Sequence, residues 1–228
     1  MSQSRTDSSS RRSLRFSRRE LAFLIGVPLV WGILLLFHPT GDSDLYYPIV
    51  TDQLTAWLTV HLGTMFLLPL MAGVVWLLLR GVPGTAARIG RLALVPFVLL
   101  YTAFEVLVGL GSGLIVDQIN SMPAGDVATG SQLLQDFNES ALILVFSTAG
   151  TISWIVASVA AGVALMRQTS APILVPVLLA VAAPPIAIHV TPFGPAGLAL
   201  FILAVVLTVY RGRSTARAHA PHPRPSPA

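Results

Sequence analysis

The sequence predicts an all-α protein, a polytopic bundle of six membrane-spanning helices. Three observations carry that prediction: the apolar weight of the chain, six apolar stretches of near-spanning length, and the position of every arginine. Of 228 residues, 54% are hydrophobic and 11% charged, and the mean hydropathy is +0.75. A soluble domain carries about 25% charged residues. A chain this apolar would expose large sticky patches in water. In lipid the same surface is stable, provided each backbone polar group is paired inside its own segment, which an α-helix does.

Residues 1–20 are rich in Ser and Arg and lack the apolar content to build a core, so a disordered cytoplasmic tail is expected. Arg11-Arg12 and Arg18-Arg19 each follow a Ser, loosely like a twin-arginine export signal. No small-residue cleavage site follows Phe37, where the chain reads His38-Pro39-Thr40-Gly41. The arginines therefore read as a positive-inside anchor and the first apolar segment as a true span. The spans fall at about 21–37, 54–79, 92–116, 140–166, 172–190 and 195–210, against the roughly 17–25 residues that a crossing needs. The sixth is marginal. Each outward-going span carries Val-Pro near its start, at Val27-Pro28, Val95-Pro96 and Val175-Pro176, a faint repeat that fits three helical hairpins. Residues 211–228 read as a second disordered cytoplasmic tail, leaving 21–210 as the transmembrane domain.

Charge tests the count. With the N-terminus inside, all fourteen basic residues, every one an Arg, fall in cytoplasmic segments. The outer segments carry Asp42, Asp44, Asp52, Asp117, Asp126 and Asp136 instead. A five-span topology would strand Arg211, Arg213, Arg217 and Arg224 outside, so the positive-inside rule supports the weak sixth span. The pI near 10.3 follows from this arginine placement, and no nucleic-acid partner is expected. The expected setting is a bacterial cytoplasmic membrane with both termini in the cytoplasm. The longest outer loop, 117–139, contains a stretch at 131–137 suited to the membrane surface, and Asp136 with Glu139 matches a helix capping box.

Ionisable groups within spans are costly and mark functional candidates. Glu105 sits in the third span, roughly 16 Å from its outer end, and shares a helical face with Tyr101, Thr102, Gly109 and Ser112. His61 lies in the second span about 10 Å from the outer end, two turns before a kink at Pro69. The two are expected to pair. His38 and His189 end the first and fifth spans. Together these four residues outline a candidate pocket in the outer half. The inner half has no ionisable residue between the arginines and the level of Glu105, so the pocket is expected to close toward the cytoplasm.

The absence of Cys excludes disulfides, thiolate metal sites and thiol nucleophiles. There is no Gly-rich phosphate loop, no Gly-x-Ser-x-Gly and no His-Glu-x-x-His. No cofactor is expected. The alternatives are zinc, which three His and an open position would suit, and haem, which two His would ligate. His219 and His222 read as solvated, and Asp42-Ser43-Asp44 lacks the rest of a calcium loop. Ser140, Ser147, Thr151, Ser158 and Gly162 line one face of the fourth span. Small faces let helices approach closely in lipid, so this face is a packing surface, within the chain or toward a second copy or another membrane protein.

The run Trp57-Leu58-Thr59-Val60-His61 and the Pro69 kink resemble those of small six-span proteins of GC-rich actinobacteria. That resemblance implies the topology and no activity. The expected function is a non-enzymatic membrane protein whose outward pocket binds or passes a proton, ion or small ligand. The alternatives are an intramembrane metal- or haem-dependent enzyme using the outer histidines, and a structural subunit of a membrane complex.

Overall fold

The computed structural model describes residues 14, 16–41, 45–169 and 171–218, the side chains of 211–218 excepted. The arginine doublet at 11–12, residues 42–44, His219 and His222 lie outside the described residues, and with them the expectations placed there.

The first helix, α1 (Arg18–Leu35), begins at a local signal. The Ser17 amide donates to Glu20 Oε2 at 2.7 Å and the Glu20 amide donates to Ser17 Oγ at 3.3 Å. This capping box satisfies two amides that helix geometry leaves unpaired. Glu20 also pairs with Arg80, which holds the start of α1 to the end of α3. A short helix, α2 (Tyr46–Thr51), leads into α3 (Leu54–Leu78). Next come α4 (Thr85–Asn120), α5 (Val127–Asn138), α6 (Ala141–Gln168), α7 (Leu174–Ile188) and α8 (Phe193–Ala218). The expected capping box at Asp136 and Glu139 does not form. Ser140 is the residue before α6, and the two carboxylates accept instead from Gln132 and Gln135 within α5. The last helix runs past Tyr210 to Ala218, since no proline interrupts it before Pro221.

Every described element is helical apart from turns. Among the described residues, four helices are long and apolar enough to cross a membrane: α3, α4, α6 and α8 over 193–210. Two of the six expected spans fall short by that measure. The 18 residues of α1 include Arg18, Arg19 and Glu20, and α7 has 15 residues, about 22 Å of helix.

The six long helices close a ring. Each packs on two neighbours in the order α3, α1, α8, α7, α6, α4 and back to α3. The pairs α1/α3, α4/α6 and α7/α8 are all in contact, as three hairpins require. Trp31, Phe97, Trp154 and Phe201 fill the core. Close packing depends on small residues at defined points. A Cβ on Gly162 would lie 2.6 Å from Pro176 Cα, and one on Gly150 would lie 2.9 Å from the Tyr101 ring. Of the small-residue face expected on α6, Ser158 and Gly162 are buried, while Ser140, Ser147 and Thr151 are half-buried. The buried line runs instead through Gly150, Trp154, Ala157 and Ala161.

One helix departs from regular geometry. Within α4 the turns widen to π-helical form at Phe97–Tyr101 and again at Glu105–Gly111. The first widening follows Pro96, which has no N–H to donate. Such widenings re-aim side chains and are frequent at functional sites.

Candidate functional site

Among the described residues, the buried carboxyl and imidazole side chains are Glu105, His38, His61 and His189. They belong to four helices or helix ends, yet they gather at one place, at the end of the bundle opposite Arg80, Arg88, Arg91 and Arg167. The imidazole centroids of His38 and His61 stand 5.0 Å apart, those of His38 and His189 5.5 Å, and those of His61 and His189 6.1 Å. One ring nitrogen from each lies within 4.8 Å of the others. These are the residues that could hold a metal ion.

Each histidine is placed by its own device. His61 lies on α3 one turn after Trp57. Its Nδ1 stands 2.8 Å from the Trp57 carbonyl oxygen. A carbonyl only accepts, so Nδ1 carries the proton and Nε2 keeps its lone pair. The indole of Trp57 is fixed in turn, because Nε1 donates to the Gly109 carbonyl at 2.6 Å, inside the wide turns of α4. A side chain at Gly109 would overlap the His61 ring. His38 follows the end of α1, and its Nδ1 donates to the Pro39 carbonyl at 2.8 Å.

His189 closes α7 in the left-handed conformation, at φ 45°, which few residues other than Gly, Asn, Asp and His adopt. The chain then folds back so tightly that a Cβ on Gly194 would lie 2.6 Å from the His189 carbonyl oxygen. Thr191 Oγ1 donates to the Leu35 carbonyl at 2.6 Å, tying this turn to the end of α1 and bringing His189 beside His38. His189 Nδ1 stands 3.2 Å from the Ala187 carbonyl and 3.1 Å from the Tyr101 hydroxyl. Tyr101 donates to that same carbonyl, so its oxygen and the carbonyl both accept from the Nδ1 proton. His38 and His61 thus spend Nδ1 on a backbone carbonyl and keep the Nε2 lone pair, while His189 sets Nδ1 against Ala187 and Tyr101 and turns Nε2 to Glu105.

The expected pairing of Glu105 with His61 is replaced by another. Glu105 Oε1 stands 3.2 Å from His189 Nε2. Same-helix spacing shows which residues share the face of Glu105, but the partner is chosen by which helix lies opposite. His61 instead packs against Gly109, one turn further along α4. Glu105 has no solvent exposure, and neither carboxyl oxygen has a hydrogen-bond partner.

Beside the cluster is a cavity of about 420 Å³ lined by His38, His61 and His189 together with Trp57, Tyr46 and apolar residues. Residues 39–41 and 188–190 also line it. Below it, toward the arginine end, Leu68, Met71, Phe97, Trp154 and Leu165 are buried together in the core. The sequence puts Tyr101 and Gly109 on the face of Glu105 but gives no sign other than spacing that Trp57 orients His61. Trp57 stands four residues before His61, and Tyr101 four before Glu105.

No protein-family model, no curated protein and no solved structure matches the chain.

Proposed function

We propose that this chain crosses a bacterial cytoplasmic membrane six times with both termini inside, and that its outward half forms a pocket that binds a small ligand or ion. One observation carries the reading. The three buried imidazoles line one open cavity at the end away from the arginines, and the buried Glu105 carboxyl, which with them costs most to place in lipid, stands 3.2 Å from one of them, His189. A structural polar residue needs one partner. Four ionisable groups gathered from separate helices, with an opening beside them, fit the recognition of something that enters. The six-span topology draws support from the closed helix ring and from the arginines.

The chain has no Cys, so single probes report without background. Thr40→Cys, at an exposed position of the pocket lining, is expected to react with an impermeant maleimide added outside spheroplasts. Thr85→Cys and Ala216→Cys are expected to react only after the membrane is opened. Protection of Thr40→Cys, or labelling of Thr85→Cys from outside, overturns the reading.

A further inference from the structure

From the geometry we infer that the pocket is a transition-metal site: His38, His61 and His189 ligate a divalent ion of the zinc class, with the Glu105 carboxylate beside it as the balancing charge. This rests on the pocket reading above and names what the pocket takes.

Four features support it. First, all three imidazoles set Nδ1 against a backbone carbonyl, the orientation a metal ligand takes. Metal-binding His typically donates its other ring N–H to a carbonyl or carboxylate, which fixes the ring and leaves one lone pair for the ion. His38 and His61 donate Nδ1–H to backbone carbonyls at 2.8 Å, and His189 does so to Ala187 at 3.2 Å. Second, the distances are near those of a coordination shell. Ligands at about 2.0–2.1 Å from zinc stand roughly 3.3–3.4 Å apart along a tetrahedral edge. Glu105 Oε1 stands 3.2 Å from His189 Nε2, close enough to sit against that shell without joining it. The three ring nitrogens lie within 4.8 Å, so closing on an ion takes movements of about an ångström shared among three side chains.

Third, Glu105 is fully buried with neither oxygen hydrogen-bonded. Neutral imidazoles bring no charge to a divalent ion, and a lone dication in an apolar bundle is unfavourable. The carboxylate and the ion each supply the counter-charge the other lacks. Fourth, the cavity gives the ion an entry path and leaves room for water or a small ligand at an open position. Imidazole with carboxylate suits zinc, cobalt, nickel and copper rather than calcium or magnesium, which prefer oxygen. Haem fits poorly. Two axial imidazoles must face one another across a macrocycle, whereas these rings meet edge to face at 5.0–5.5 Å with no slot between them.

The test uses the full chain in detergent with His219 and His222 replaced by Ala, so that the tail offers no imidazole. Titration with Co(II) is expected to give one ion per chain and the intense visible bands of a tetrahedral N/O site, abolished by equimolar zinc. His38→Ala, His61→Ala and His189→Ala should each remove the bands, and Glu105→Gln should weaken binding about 10–100-fold. Where a variant does not fold, the unsubstituted site still answers, since zinc should raise its melting temperature in a concentration-dependent way. No saturable Co(II) binding, or binding that survives the His38→Ala/His61→Ala/His189→Ala triple substitution, overturns the metal site. Thr40→Cys labelling is independent of the ion, so a pocket without metal is distinguishable from no pocket.

Discussion

A carboxyl with no exposure and no hydrogen-bond donor is unfavourable wherever a fold puts it, and Glu105 is held in that state by its neighbours. The wide turns of α4 from Glu105 to Gly111 aim the carboxyl at His189, and they turn the Gly109 carbonyl to the indole of Trp57. Gly109 has a second role, because the His61 ring occupies the space a Cβ would need. Gly109→Ala is therefore expected to push the imidazole off its bond to Trp57 and to cost about 1–3 kcal/mol through overpacking. Gly111→Ala provides the comparison, since a Cβ there meets only the Val106 carbonyl oxygen, at 3.4 Å. Thermal unfolding in detergent should show Gly109→Ala clearly less stable and Gly111→Ala near wild type. Equal midpoints would mean that the ring is free to move aside. Sequence alone marks His38, His61, Glu105 and His189 as costly residues in the outer half. It does not mark Gly109 or Thr191, which position the histidines through contacts between helices far apart in the chain. Nor does it reveal that Glu105 meets His189, since the widened turns alter the register on which helical-wheel reasoning depends.

Helices were the more legible scale, because apolar length and arginine position are local properties. Start and stop positions were less so. Ser17 and Glu20 form the cap that begins α1, and the cross-link from Glu20 to Arg80 is invisible without the fold. Arg80 holds the Glu20 carboxyl down to about 2 from its ordinary 4.5, with the Ser17 amide adding to the effect. A depressed carboxyl stabilises the fold fully above its unfolded value and loses that contribution as pH falls through the folded one. The stability gap between wild type and Glu20→Gln, read by thermal melts, should thus be constant above pH 4.5 and narrow as pH falls from 4.5 toward 2. A gap unchanged across that window would separate Glu20 from the pairing. Packing between helices makes a second prediction. Gly162 lets α6 approach α7 so closely that a Cβ would lie 2.6 Å from backbone at Pro176. Gly162→Val should destabilise by about 1–3 kcal/mol. Ser147→Ala should be nearly neutral, because Ser147 bonds only the Leu144 carbonyl of its own helix. Along the small-residue stripe, Gly162 lies at a close approach to α7, while Ser140 and Ser147 near the other end of α6 are half-buried.

At the level of the whole molecule, the ring of six helices is asymmetric along its axis. One end carries the ionisable cluster and the cavity. The other is packed with large apolar side chains, from Leu68 and Met71 on α3 to Phe97 on α4 and Trp154 on α6, and ends in arginines. Among the described residues, the buried polar groups outside the cluster are the hydroxyls of Thr64, Ser112, Ser158, Thr169 and Thr208 and the amide of Asn138, and no second buried carboxyl or imidazole lies beyond Glu105 to continue a relay. Ion passage needs polar lining or a water path along the full length of a pore, and proton transfer needs groups within hydrogen-bonding reach. The fold therefore fits binding at one face better than conduction. Purified protein in liposomes is expected to leave a preset pH gradient and a zinc gradient intact over the background leak, with Glu105→Gln indistinguishable from wild type. A proton or zinc flux that disappears on Glu105→Gln would require the apolar half to open, and would turn the pocket from a terminus into one stage of an alternating path.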